Sequence, residues 1–168
     1  MNLTELNALS QADFTAALGD IFEHSPWIAE ATWPRRPFAS VEELHAQLCA
    51  TLAAADLTAK LTLIRAHPEL AGKLAIRGEL TDASTREQAG AGLNLCSPEE
   101  FARLTELNSA YNTRFGFPFI LAVRGHDRSS IIANMAQRID NPREVEIATA
   151  LAQIERIAGF RLRDRVEA

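Results

Sequence analysis

The chain has 168 residues, 47% of them apolar and 23% charged, enough for a full hydrophobic core without a disulfide or metal to reinforce it. Lys and Arg number 17 against 22 Asp and Glu, a net charge of −5 with a pI near 5.4, which argues against the basic face of a nucleic-acid binder but leaves room for a local basic pocket. Apolar runs such as Phe117 to Val123 are too short to span a bilayer.

With 29 Ala and 20 Leu against 4 Val, composition favours helices over strands. Ser10 and Asp13 open an amphipathic segment with Phe14, Leu18, Ile21 and Phe22 on one face. Ser25-Pro26 reads as an N-cap followed by proline at the first helical position. Ser40-Val41-Glu42-Glu43 is a capping box, followed by Leu44, Leu48 and Leu52. Leu57, Leu61 and Ile64 form the next stripe, which must stop before Pro68. Ser84 and Glu87 have capping-box spacing and open a short helix within 84–93. Ser97-Pro98-Glu99-Glu100 opens a helix with Phe101, Leu104, Asn108, Tyr111 and Phe115 on one face, ended by Gly116. Ser129 or Ser130 starts a helix with Ile131, Ile132, Met135 and Ile139. Asn141-Pro142 opens the last helix, which runs to Arg165.

The expected fold is all-α: one domain over residues 1–168, a bundle of about seven to nine helices with an irregular apolar segment around 117–123. Met1-Asn2-Leu3-Thr4-Glu5 lacks an export-signal pattern, and Arg165-Val166-Glu167-Ala168 is neither a peroxisomal tripeptide nor a lipidation signal. Cys49 and Cys96 lack metal-type spacing and are expected as reduced thiols in a cytoplasmic protein.

Four histidines are available for chemistry: His24, His45, His67 and His126. Glu42-x-x-His45 has the spacing of a di-iron bundle motif, but such sites need two copies, so a solvated helix face is the better reading and no metal is expected. His24 and His126 sit beside turn residues, as surface or capping groups. His67, in Arg65-Ala66-His67-Pro68-Glu69-Leu70, stands at a helix end fixed by proline. An imidazole held there either caps the helix or faces a cavity, where it can give and take a proton near neutrality. Ser84 and Glu87 similarly serve either as a cap or as a helix start facing a polar ligand. The segments 67–97 and 117–123 leave backbone groups without helical partners and are candidate site walls.

FEHSPWIAE at 22–30, HPELAGK at 67–73, EQAGAGL at 87–93, LNSAYNTRFGFPFI at 107–120 and FRL at 160–162 resemble, in this order, the OHCU decarboxylase family of urate degradation. OHCU is 2-oxo-4-hydroxy-4-carboxy-5-ureidoimidazoline, the unstable product of hydroxyisourate hydrolysis. The resemblance implies a cofactor-free carboxy-lyase, usually a homodimer, that releases CO2 and leaves (S)-allantoin. It makes His67 the acid–base residue and Glu87 its partner. It places Pro68, Ser84 and Gln88 along the substrate. It gives main-chain contacts to Phe119, Ile120, Leu121, Ala122 and Val123. Arg161 matches a basic residue near the substrate, with Arg163 and Arg165 as neighbouring alternatives. The competing reading is a helical protein that binds purine-derived ureides without catalysis.

Overall fold

The computed structural model describes residues 1–72 and 78–168. Lys73, the last residue of the HPELAGK stretch, lies outside the described residues. Among these there are nine α-helices, two short 3-10 turns and no strand, so the all-α expectation holds. An isolated parallel bridge joins Asn2 and Glu167. The chain divides into two compact units, residues 1–66 with 154–168, and residues 67–153.

The first unit holds α1 (Leu3–Ala8), α2 (Gln11–Leu18), α3 (Trp27–Thr32), α4 (Val41–Ala53) and α5 (Leu57–Ala66). α3 packs against both α2 and α4. Phe14, Leu18, Ile28, Leu44, Leu48, Leu52 and Ile64 form its core, each at 1% exposure or less. Each such side chain contributes about 1.5–3 kcal/mol of transfer free energy.

Several helix boundaries differ from expectation. α1, with an Asn2–Glu5 capping box, had no counterpart in the apolar pattern. α2 ends at Leu18, so Ile21 and Phe22 are buried beyond it rather than along it. Ser25 does not cap α3: its hydroxyl donates to the Glu23 carbonyl at 2.9 Å, and Pro26 takes the cap position. Ser40 caps α4, accepting from the Glu43 N–H at 3.0 Å, but the Glu43 carboxylate accepts from Ala39 rather than closing the box. In α5 the buried pair is Leu63 and Ile64, and Leu57 is 55% exposed.

The second unit holds α6 (Asp82–Gly90), α7 (Pro98–Phe115), α8 (Arg128–Arg138) and the start of α9 (Arg143–Arg165). α7 packs against α8. It begins with the expected Ser97–Glu100 box and ends at Gly116, whose φ of +77° suits a residue without Cβ. α6 starts one turn earlier than the Ser84 box implied. Thr81 is the cap, and its hydroxyl accepts from the Ser84 N–H at 3.2 Å. α8 is capped by Asp127 rather than Ser129 or Ser130. The 23 residues of α9 extend about 35 Å. No single helix among the described residues is long and apolar enough to cross a membrane.

His45 does not lie on a solvated face. Its Nε2 is 2.8 Å from the Glu155 carbonyl and 3.4 Å from Cys49 Sγ, in a half-buried position. Burial, with the Glu155 carboxylate adding to it, pushes the Cys49 thiol up to about 12. At pH 8 its thiolate fraction is then on the order of 10⁻⁴, and the thiolate is the reactive form. Native Cys49 should react with Ellman's reagent at least about a hundredfold more slowly than glutathione. Rapid labelling of Cys49 in the folded protein, located by peptide mapping, would contradict this.

Candidate active site

α5 ends at Ala66 because Pro68 disfavours helical geometry in the residue before it. His67 is the first residue past the helix and is 7% exposed. A tight turn follows. The Gly72 N–H points at the Glu69 carbonyl at 3.4 Å, and Ala71 takes a φ of +52°, in the left-handed region that residues with a Cβ avoid. Side-chain amides secure this turn. Gln88 Nε2 donates to the Glu69 carbonyl at 3.3 Å, and its Oε1 accepts from the Ala71 N–H at 2.9 Å. Asn108 Nδ2 donates to the Leu70 carbonyl at 2.9 Å. Asn112 Nδ2 reaches the Glu69 carboxylate at 3.4 Å.

Ser84, Glu87 and Gln88 are spaced three and four residues apart on α6, and so share one face. Ser84 and Gln88 are buried, while Glu87 and Pro68 are half-buried. Because Thr81 caps α6, Ser84 lies inside the helix and is not its cap. Gln88 is committed to the turn after His67 at both ends of its amide.

Phe119, Ile120, Leu121, Ala122 and Val123 are all buried and belong to neither helix nor strand. Such backbone needs other partners. Arg138 Nη1 donates to the Ile120 carbonyl at 2.7 Å, and Gln153 Oε1 accepts from the Ala122 N–H at 3.0 Å. The Val123 carbonyl accepts from His126 at 2.9 Å. The Ala122 N–H is therefore occupied. The guanidinium of Arg138 also lies 4.3 Å from the Phe119 ring centre.

Glu146 holds Arg138 in place. Its side chain is 0% exposed, and it accepts from Arg138 Nε at 2.9 Å, Tyr111 Oη at 2.5 Å and Asn141 Nδ2 at 3.0 Å. Burial, followed by the bond to Glu146, pushes the Tyr111 hydroxyl well above its ordinary range. The ring of Tyr111 meets Phe119 edge-on at 5.3 Å. α7 thus reaches both segments: Asn108 holds the turn after His67, and Tyr111, three residues on, packs against Phe119.

Arg161 lies in the first unit and is 6% exposed. It pairs with Glu23 at 2.8 Å and points at the carbonyls of Asp20 and Ile21 at 3.4 and 3.5 Å. Its neighbours are more exposed. Arg163 is half in solvent and 3.8 Å from Glu42, and Arg165 pairs with Asp20, whose carboxyl that hydrogen bond holds below its usual range.

Two cavities flank the turn within the second unit. One of about 550 Å³ is lined by Gln88, Thr85, Leu93, Cys96 and Phe101 among others, the other of about 600 Å³ by Glu69, Asn108, Ser109 and Asn112 among others. Neither is lined by His67, Ser84 or Glu87. Sequence reasoning assigns no role to Asn108, Arg138, Glu146 or Gln153. The one available signal was Asn108 itself, a polar residue in the apolar stripe of α7.

Comparison with known proteins adds a family. The family model described as OHCU decarboxylase matches residues 7–163. The 2-oxo-4-hydroxy-4-carboxy-5-ureidoimidazoline decarboxylase of Haloferax volcanii is 40% identical over 165 residues, 98% of this chain and 96% of that protein. The crystal structure of (S)-allantoin synthase superposes with a TM-score of 0.79 at 30% identity, over 99% of this chain. This chain covers 54% of that longer one. The crystal structure of OHCU decarboxylase in the presence of (S)-allantoin gives a TM-score of 0.70 over 93% of this chain and 97% of that one; at 20% identity the likeness is one of fold.

Proposed function

The chain belongs to the OHCU decarboxylase family, and we propose that it converts 2-oxo-4-hydroxy-4-carboxy-5-ureidoimidazoline to (S)-allantoin and CO2, with His67 as acid–base residue and Glu87 as its partner. The observation that carries this is 40% identity to a decarboxylase along nearly the whole of both chains.

The chemistry asks for three things. The carbon–carbon bond to the carboxylate breaks, and its electron pair passes into the imidazoline ring. A proton then reaches that carbon from one face, which sets the product's handedness. The substrate supplies the electron sink, so the protein has to hold the ring, orient the carboxylate and deliver the proton. A buried imidazole on a pinned turn suits the last task. Glu87 would fix its tautomer and favour its protonated form. Ser84 and main-chain groups of Phe119–Val123 other than the Ala122 N–H would hold the ring, with Pro68 forming part of the wall. Gln88 would contribute chiefly by holding the turn. Arg161 carries over from the family likeness as a cation for the substrate, its charge already shared with Glu23.

Glu87→Gln keeps size and hydrogen bonding but removes the charge. Turnover should fall about 10–100-fold, less than the roughly 10²–10⁴-fold expected of the group that moves the proton itself, with the helix signal unchanged. Wild-type turnover in this variant would remove Glu87 from the mechanism. The family likeness also supports a cytoplasmic homodimer working without a cofactor. Sedimentation equilibrium should give twice the chain mass of 18.4 kDa, and a monomer at micromolar concentration would overturn the dimer.

A further inference from the structure

Three consecutive residues after His67-Pro68 have a backbone group held by a side-chain amide: Glu69 and Ala71 by Gln88, and Leu70 by Asn108. The turn needs such holding. Ala71 has a left-handed φ of +52°, and a Cβ on Gly72 would come within 2.8 Å of Glu69 Cβ. Left to itself, a turn of this shape would relax, and the residue before Pro68 would move with it.

Asn108 is 5% exposed, on a face of α7 otherwise occupied by Leu104, Tyr111 and Phe115. Among the described residues its Nδ2 bonds to Leu70, while its Oδ1 is buried without a hydrogen-bond partner. A leucine, branched at the same atom, would fill this place with no unpaired oxygen. Packing alone therefore does not account for an amide here. The bond to Leu70 does, because only a side chain with a donor can hold that carbonyl.

We infer that Asn108 is a positioning residue for His67: by fixing the Leu70 carbonyl it sets the turn that aims the imidazole. The inference rests on the reading of His67 as the acid–base residue. Asn108 acts on His67 through three residues of backbone. An acid–base group displaced by about 1 Å can lose on the order of 100-fold in rate.

The test pairs turnover with a direct view of the ring. Asn108→Leu removes the donor while keeping the number of side-chain heavy atoms. Asn108→Ala, which cannot clash, is made alongside in case the leucine does not fold. Either folded variant should show kcat lowered about 10–100-fold with KM within about threefold of wild type. The imidazole ¹⁵N signals of His67, assigned with His67→Ala, should shift, while those of His45 stay in place. An unmoved His67 signal, or a raised KM with unchanged kcat, would overturn the inference. Wild type is assayed in the same series. If it fails to turn over while the His67 signals still shift in the variants, the proposed reaction falls and the positioning role stands.

Discussion

His67→Ala should lower turnover by about 10²–10⁴-fold while leaving the helix signal close to that of wild type. The two halves of this result come from different parts of the structure. His67 stands one residue beyond the end of α5, so its side chain adds nothing to the helical hydrogen-bond ladder. The turn after it is held by Gln88 and Asn108 through the backbone, which alanine leaves intact. The proton for the new carbon–hydrogen bond has no such substitute. Steady-state kinetics beside far-UV circular dichroism checks both halves. Retained turnover would move acid–base chemistry to another group, and a collapsed helix signal would make His67 a structural residue.

Glu146→Gln is the variant with the largest expected effect on stability. Glu146 and Arg138 are paired at 2.9 Å, with side chains 0% and 9% exposed. Glutamine keeps one acceptor oxygen where the carboxylate has two, so it can serve the Tyr111 side or the Asn141 side but not both, and it leaves the Arg138 guanidinium buried without a counter-charge. Breaking a buried pair in this way costs about 3–5 kcal/mol. For a chain of this size that lowers Tm by roughly 6–20 °C. Because Arg138 also holds the Ile120 carbonyl, activity should fall with stability. Thermal and urea unfolding measure the effect. A Tm within about 2 °C of wild type would mean that Arg138 finds another partner or reaches water.

Features written in adjacent residues could be read from the sequence. Ser97-Pro98-Glu99-Glu100 and Gly116 marked the two ends of α7, and Pro68 marked the end of α5. Where two residues offered the same chemistry, the sequence did not choose between them. Ser84 with Glu87 fits a capping box, but Thr81 caps α6 and leaves Ser84 inside it. Asp127 took the cap of α8 ahead of Ser129 and Ser130 for the same reason. The apolar segment 117–123 was visible as irregular and apolar, but its anchors were not. Arg138 and Gln153 reach it from helices further along the chain, and no local pattern encodes such pairings. The same holds for Gln88. Its place beside the site residues was visible, whereas its attachment to Glu69 and Ala71 depends on the left-handed turn. The sequence puts His45 on a solvated face because nothing near it in the chain points to the Glu155 carbonyl.

The most direct test of the proposed reaction generates the substrate in place, from urate with uricase and hydroxyisourate hydrolase, and follows optical activity on adding this protein. The account predicts a rapid rise of the (S)-allantoin signal with wild type and a rate near the uncatalysed one with His67→Ala. A slow, racemic decay with wild type, equal to that in protein-free buffer, would contradict it and leave a ureide-binding protein in place of an enzyme.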